Sequence, residues 1–129
     1  MNPKIERPLS PYTTIYRPPT AMKASITHRL TAIVMYFGGM PLLTWYLLSV
    51  AMGPNSYRQF ESFAGSWFGT FVLFSLTWCV CQHLASGLRH LILDLGFGFE
   101  NRTSRRSAIA TFAFSLTMTV VLWTWTTLA

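Results

Sequence analysis

The sequence predicts an all-α fold, an integral membrane protein with three transmembrane helices. Of its 129 residues, 51% are hydrophobic and 11% are charged, whereas a soluble domain of this size needs more polar residues to cover its surface. The charged residues are also clustered, which leaves three long stretches without Asp, Glu, Lys or Arg: Leu30–Met52, Ser62–Leu88 and Ser107–Ala129. About 20 residues suffice to cross the hydrocarbon layer, so each stretch predicts one span.

The length allows a single membrane-anchor domain over residues 1–129. Residues 1–21 are expected to form an extended cytoplasmic segment, because its five prolines lack a donor and bias their predecessors away from helix. The spans are expected at about 22–52, 62–94 and 105–128, with Thr20 as a candidate cap of the first. The first segment has neither the apolar core of a secretory signal nor a transit-peptide pattern, which favours a bacterial inner membrane over a mitochondrial one.

Two local features belong to the spans themselves. Gly38, Gly39 and Pro41 lie in the middle of the first, where the glycines permit close helix packing and the proline is expected to bend the helix. Cys79 and Cys81 in the second point about 200° apart on a helix, so they cannot bridge and are interpreted as small buried hydrophobes.

The loop charges predict the orientation. Basic residues flank the start of the first span and the turn after the second, whereas the loop between the first two spans carries only Arg58 against Glu61. The positive-inside rule therefore places the N-terminus and the second loop in the cytoplasm. The net charge of +6 is then a charge of the inner surface, suited to anionic lipids or a docked soluble partner and not to nucleic acid.

The most informative run is His83-Leu-Ala-Ser-Gly87-Leu-Arg89-His90-Leu-Ile-Leu-Asp94 in the second span. At 100° per residue, Gly87, His90 and Asp94 all fall within about 40° of His83, so they form one narrow stripe. Polar residues in a span face the bundle interior and are functional candidates. A glycine one turn from a histidine also leaves space for a flat macrocycle, and Asp94 can orient the imidazole of His90 through a hydrogen bond.

His83 lies roughly 10 Å deeper than His90, within the hydrocarbon layer. A histidine buried there stays neutral, the form that ligates metal. Haem ligation is the favoured interpretation, and a proton relay or a structural histidine bonded to a neighbouring helix are the alternatives. His90, nearer the headgroups, is expected to bond a propionate, a lipid phosphate or a partner chain rather than iron.

The histidine count predicts a partner. The chain has three histidines, His28, His83 and His90, and a low-spin haem needs two strong axial ligands. His83 and His90 share one helix face, so they cannot hold one iron from opposite sides. The second ligand is then a methionine of this chain or, the favoured alternative, a histidine of another subunit in a heteromeric bundle.

Ser25 and Arg29 lie at i and i+4, one above the other at the start of the first span. A hydroxyl and a guanidinium at the interface can hold a quinone carbonyl, with the cation stabilising negative charge on the partly reduced ring. Arg29 can equally bind a haem propionate. The alternative is an anchoring arginine beside a capping-type serine.

Three motifs together resemble the cytochrome b556 subunit family of succinate dehydrogenase. They are Arg7-Pro-Leu-Ser-Pro-Tyr12 with Ile15-Tyr16, Ser25-Ile-Thr-His28-Arg29, and His83-x-x-x-Gly87-x-Arg89-His90-x-x-x-Asp94. Their order, spacing and three-span layout agree with the family over nearly the whole chain. Ala32 and Leu93 depart from its usual residues, and neither position carries chemistry.

The resemblance implies a membrane anchor of respiratory complex II that is not catalytic alone. It implies a b-type haem shared with a second hydrophobic anchor subunit, a ubiquinone site, and partnership with an iron–sulfur subunit and a flavoprotein. Carried over by residue, His83 would be the axial iron ligand and Ser25 and Arg29 would line the quinone site. His28, Arg29 and His90 would lie near the propionates, with Gly87 in the same haem environment.

Two other functions remain open from the sequence. The same fold serves a fumarate reductase anchor or another cytochrome b module that oxidises quinol. A small transporter or scaffold could use His83 and Asp94 as a proton relay, although the chain has neither an internal repeat nor a fourth span. The transporter or scaffold predicts a colourless protein, whereas a succinate dehydrogenase anchor and a fumarate reductase or quinol-oxidising module both predict a haem spectrum.

Overall fold

The computed structural model describes residues 8 and 10–128, and this part of the chain is helical throughout, with short connections. The motif that begins at Arg7 lies partly outside the described residues. The basic residues Lys4 and Arg7 lie wholly outside them. Three helices are long and apolar enough to cross a membrane, and they run over Thr20–Ala51, Trp67–Asp94 and Asn101–Leu128. The predicted fold class is therefore confirmed.

The segment before the first span is not extended throughout. Tyr12–Ile15 forms a short helix, α1, in which Thr14 donates its hydroxyl hydrogen to the Pro11 carbonyl at 3.0 Å. Helix α2 then begins at Thr20 and runs to Val34. Its cap position is Pro19 and carries no side-chain cap, so Thr20 is the first helical residue and the expected cap is wrong. The Pro19 carbonyl instead accepts from the backbone N–H of Met22 at 3.0 Å.

Where Pro41 is expected to bend the first span, the structure has a π-turn. Met35–Gly39 winds as π-helix between α2 and helix α3, Met40–Ala51, and the Met40 N–H donates to the Met35 carbonyl five residues back. Pro41 follows directly and has no N–H to continue the usual ladder, while its ring crowds the carbonyl four residues earlier. One wider turn relieves that crowding without ending the helix.

The loop between the first two spans contains a helix that the span prediction does not include. Helix α4 covers Pro54–Ala64, and helix α5, the second span, begins only at Trp67 and ends at Asp94. Gly53 permits the turn into α4, because its φ of 97° suits glycine. Ser66 caps α5 by accepting from the Gly69 N–H at 3.1 Å. The second span is thus shorter at its start than the expected 62–94.

Helix α6, Asn101–Leu128, is the third span and packs along α5, while α2 contacts both. It begins four residues earlier than the expected 105. The turn between α5 and α6 reverses the chain through Gly96 and Gly98, whose φ values are 87° and 84°. The ends of α2, α5 and α6 that carry the histidines and most of the described arginines therefore meet at one end of the bundle.

Small and hydroxyl-bearing residues fill the interior, while large apolar residues lie outside. The buried hydrophobic residues are Ala24, Cys79, Cys81, Ala85 and Ala108. Both cysteines are free, as expected. Most of the buried hydroxyls donate to carbonyls of their own helices, as Thr119 does to the Ser115 carbonyl at 2.8 Å, and Ser115 also donates to the Gln82 side chain on α5. Such an inverted distribution is typical of membrane helices, in which small residues permit close packing.

Candidate functional site

The three histidines of the chain come together between α2 and α5. The imidazoles of His28 and His83 stack with their centroids 3.9 Å apart and their planes 11° from parallel. The His90 ring lies 5.2 Å from that of His28, tilted by 54°. The start of the first span thus meets the end of the second, as the alternation of the spans predicts.

The hydrogen bonds of His83 fix its tautomer. Nδ1 of His83 lies 3.1 Å from the backbone carbonyl oxygen of His28, which can only accept. Nδ1 is therefore the protonated nitrogen and Nε2 carries the lone pair. The Thr31 hydroxyl donates to the same carbonyl at 2.9 Å and lies 3.3 Å from Nδ1, which places its oxygen beside the imidazole N–H.

Sequence reasoning missed Thr31 as part of this site. The side chain is only 2% exposed and joins the His28 carbonyl to the His83 ring. Its position three residues after His28 places both on one helix face, which is a signal in the sequence. The contact itself depends on how α2 packs against α5, and helical periodicity does not report that packing.

Gly87 lies against the ring of His28. A methyl group built at Gly87 would lie 3.6 Å from Cε1 of the His28 ring, which is an ordinary van der Waals contact. This glycine is therefore on the same face as His83 and His90, as the periodicity predicts. The side of α5 that is expected to admit a macrocycle faces the imidazole of His28 in this structure.

One buried nitrogen of the cluster lacks a partner in the described residues. Nδ1 of His28 is buried and forms no hydrogen bond within the described part of the chain. A buried polar atom left unpaired costs about 1–3 kcal/mol, so such atoms are usually satisfied in the functional assembly. The His28 ring therefore has an unused hydrogen-bonding position directly beside His83.

Ser25 and Arg29 lie one turn apart on α2, next to the histidine cluster. Ser25 is half-buried and Arg29 is exposed. Within residues 10–128, neither side chain forms a hydrogen bond or an ion pair with the protein. A hydroxyl and a guanidinium are thus available to a ligand at the end of the bundle where α2 begins.

Asp94 does not join the histidine cluster with the other residues of the predicted stripe. It is the last residue of α5 and its side chain is exposed. The described residues include no hydrogen bond between Asp94 and His90, so the expected orientation of that imidazole by the carboxylate stays a prediction. Of the predicted stripe, the structure brings His83, Gly87 and His90 together around the His28 ring.

The comparisons with known proteins agree with this fold. The family model for the succinate dehydrogenase/fumarate reductase transmembrane subunit matches residues 3–122, which is nearly the whole chain. The chain belongs to this family. Its three spans are therefore those of a succinate dehydrogenase/fumarate reductase transmembrane subunit.

Individual relatives within the family cover most of the chain. It is 35% identical over 115 residues to the succinate dehydrogenase cytochrome b556 subunit of Paracoccus denitrificans, covering 89% of this chain and 88% of the relative. It is also 35% identical over 118 residues to the cytochrome b556 subunit of Rickettsia prowazekii (strain Madrid E), covering 92% and 91%. The cytochrome b560 subunit of Marchantia polymorpha is 32% identical over 105 residues, covering 75% and 74%. The resemblance seen in the motifs is therefore confirmed.

Proposed function

We propose that this chain is the cytochrome b anchor of a succinate:ubiquinone oxidoreductase in a bacterial inner membrane. Family membership establishes a membrane-anchor subunit of the complex II type, and the named relatives are succinate dehydrogenase subunits, which favours succinate oxidation over fumarate reduction. The partners would be a second hydrophobic anchor, an iron–sulfur subunit and a flavoprotein. The observation that carries the proposal is the hydrogen bond that fixes the His83 tautomer.

The residues around His83 fit a haem iron. The His28 carbonyl holds the proton on Nδ1, which leaves Nε2 as the ligating atom, and a second-nitrogen hydrogen bond of this kind is typical of metal-bound histidine. A haem iron held by His83 would not take its other ligand from the stacked His28 ring, because stacked imidazoles direct their nitrogen lone pairs side by side and not toward each other. The other ligand would have to come from elsewhere, which supports a sister subunit.

The other residues of the cluster have separate roles in the proposed mechanism. Haem b, when bound, accepts and returns single electrons. Thr31 and the His28 carbonyl hold the His83 imidazole in orientation, and the unpaired Nδ1 of His28 is available to a propionate, as is His90. The Asp94 carboxylate, exposed near His90, remains a candidate to orient that ring once partner subunits are in place.

Ser25 and Arg29 are proposed to bind the ubiquinone headgroup. The Ser25 hydroxyl donates to a quinone carbonyl, and the Arg29 guanidinium stabilises the negative charge that develops on the oxygen as electrons arrive from the iron–sulfur subunit. Reduction to quinol takes up two electrons and two protons, and the protons enter from the cytoplasmic end where Arg29 is exposed.

Purification of the complex through a tag on this chain tests the proposal. We expect three further polypeptides and a reduced-minus-oxidised spectrum of b-type haem. His83→Ala should lose at least about 90% of the haem per complex, because it removes the proposed iron ligand and the other two imidazoles are expected near the propionates. Leu84→Ala, an exposed position next to His83 on the same helix, is the control and should retain haem. A colourless wild-type complex, or an unchanged spectrum in His83→Ala, would contradict the assignment.

A further inference from the structure

Arg89 is a buried cation on a different face of α5 from the histidine cluster. It lies about 120° around the helix from His83 and faces α6. Its side chain is 6% exposed. Nε donates to the Ser107 hydroxyl at 3.0 Å, and Nη2 donates to the hydroxyl and the carbonyl of Ser104 at 3.0 and 3.4 Å. Every one of these acceptors is neutral.

Among the residues that the structure describes, no acidic side chain compensates the charge of Arg89. The acidic residues in the described part are Glu61, Asp94 and Glu100, and none of them forms an ion pair with Arg89 within residues 8 and 10–128. A guanidinium has five N–H donors, so the three bonds leave at least two for another acceptor. A buried cation inside a membrane span normally has an anionic partner, because desolvation of an isolated charge is costly.

An apolar groove opens beside this guanidinium. Its volume is about 340 Å³, and it lies between α5 and α6 and the turn that joins them. Arg89 is the charged residue of a lining that otherwise consists of apolar, small or hydroxyl side chains, including Ala85, Leu88, Ile92, Ala110 and Phe114. The exposed arginines Arg102, Arg105 and Arg106 lie on the first turns of α6 at the same end.

We propose that this groove binds one anionic phospholipid of the surrounding leaflet. The phosphate would be held by Arg89 with help from the arginines at the start of α6, and part of one acyl chain would lie against Leu88, Ile92 and Phe114. The chemistry of the groove matches such a molecule at both ends, since an arginine without an acidic partner among the described residues lies beside an apolar wall that opens on the outside of the α5–α6 pair. Basic pockets between membrane helices on the cytoplasmic side commonly hold anionic lipid headgroups in this way.

The test uses the whole complex purified through this chain, delipidated in detergent and titrated with defined lipids under native mass spectrometry. Phosphatidylglycerol is expected to bind at least tenfold more tightly than phosphatidylcholine. Arg89→Gln removes the charge but keeps a donor toward Ser104 and Ser107, and should bring the two affinities within about twofold. Ala110→Phe fills the groove while the charge of Arg89 is kept, and it should weaken phosphatidylglycerol binding at least tenfold. Ala113→Phe, the same change outside the lining, should bind like the wild type.

Three results would overturn the proposal. The first is equal affinity of the wild-type complex for the two lipids. The second is a loss in Arg89→Gln without a loss in Ala110→Phe, together with displacement by millimolar inorganic phosphate, which would describe a bare anion site. The third is a cross-link from Ala110→Cys to another polypeptide of the complex, which would assign the groove to a protein partner. The buried native cysteines Cys79 and Cys81 leave that cross-link interpretable.

Discussion

The proposed haem site depends mainly on the orientation of one imidazole, that of His83. His83 is held by a backbone carbonyl, an acceptor that mutation cannot remove and that dictates the protonated nitrogen. The stripe of His83, Gly87 and His90 could be predicted from the sequence, because helical periodicity alone places residues three, four and seven apart on one face. The stacking of His28 could not, because it depends on the depth at which α2 crosses α5.

Substitutions of Ser25 and Arg29 are expected to slow the reduction of ubiquinone without slowing the oxidation of succinate. Loss of a charged hydrogen-bonding partner costs about 1.5–3 kcal/mol, so Arg29→Ala should slow ubiquinone reduction roughly 10- to 100-fold. Ser25→Ala removes a neutral donor worth about 1 kcal/mol and should slow it about fivefold. Succinate oxidation measured with a water-soluble dye as acceptor should change less than twofold in both.

Two substitutions on α2 serve as controls for that experiment. Lys23→Ala removes an exposed cation from the same helix, and Thr27→Val removes a hydroxyl whose hydrogen bond goes to the Lys23 carbonyl at 2.9 Å. Both should leave quinone reduction near the wild-type rate. Equal losses in the quinone and dye assays for Ser25→Ala and Arg29→Ala would instead assign these residues a role in assembly.

At the scale of elements, the sequence predicts the spans more reliably than what joins them. Uninterrupted apolar stretches mark the three long helices, since crossing the hydrocarbon imposes their length. Helix α4 is not predicted, because the charge distribution assigns Arg58 and Glu61 to a loop. Its apolar residues Tyr57, Phe60 and Ala64 nevertheless recur at helical spacing, and the Phe60 ring contacts that of Trp45 at 5.3 Å. The π-turn before Pro41 cannot be predicted from the sequence. A bend, a break and a wider turn would each relieve the crowding between the proline ring and the carbonyl four residues earlier.

The tight connection between α4 and α5 gives a prediction about stability. A methyl group at Gly69 would overlap the backbone carbonyl of Phe63, which cannot rotate away as a side chain would. Gly69→Ala should therefore force the connection apart at a cost of about 3 kcal/mol, seen as a lower thermal midpoint of the solubilised complex. Gly38→Ala is the control, because its nearest side-chain atom would lie 4.0 Å away. A midpoint unchanged by Gly69→Ala would show that the connection is loosely packed.

At the scale of the molecule, the distribution of residues indicates a chain that is completed by its surroundings. Large apolar side chains are exposed along every span, for example Phe37 at 73% and Leu84 at 58%. The interior instead holds Gln82, whose side-chain carbonyl accepts from Ser115, and other small polar groups. Lipid and partner helices are the surfaces that can cover such an exterior without cost.

The orientation of the whole bundle is the remaining prediction. Because the spans alternate, the α5–α6 turn and the start of α2 share one side, and α4 lies on the other. The first side carries most of the Arg and Lys flanking the spans, whereas α4 carries Arg58 and an opposing Glu61, so the positive-inside rule places α4 outside the cytoplasm. A membrane-impermeant maleimide should therefore label Asn55→Cys in intact spheroplasts. It should label Asn101→Cys only after the membrane is dissolved. The wild-type chain is the control and should stay unlabelled in the folded complex, because Cys79 and Cys81 are buried. Labelling in the reverse order would move the histidine cluster to the outer face and separate it from any electron donor docked in the cytoplasm.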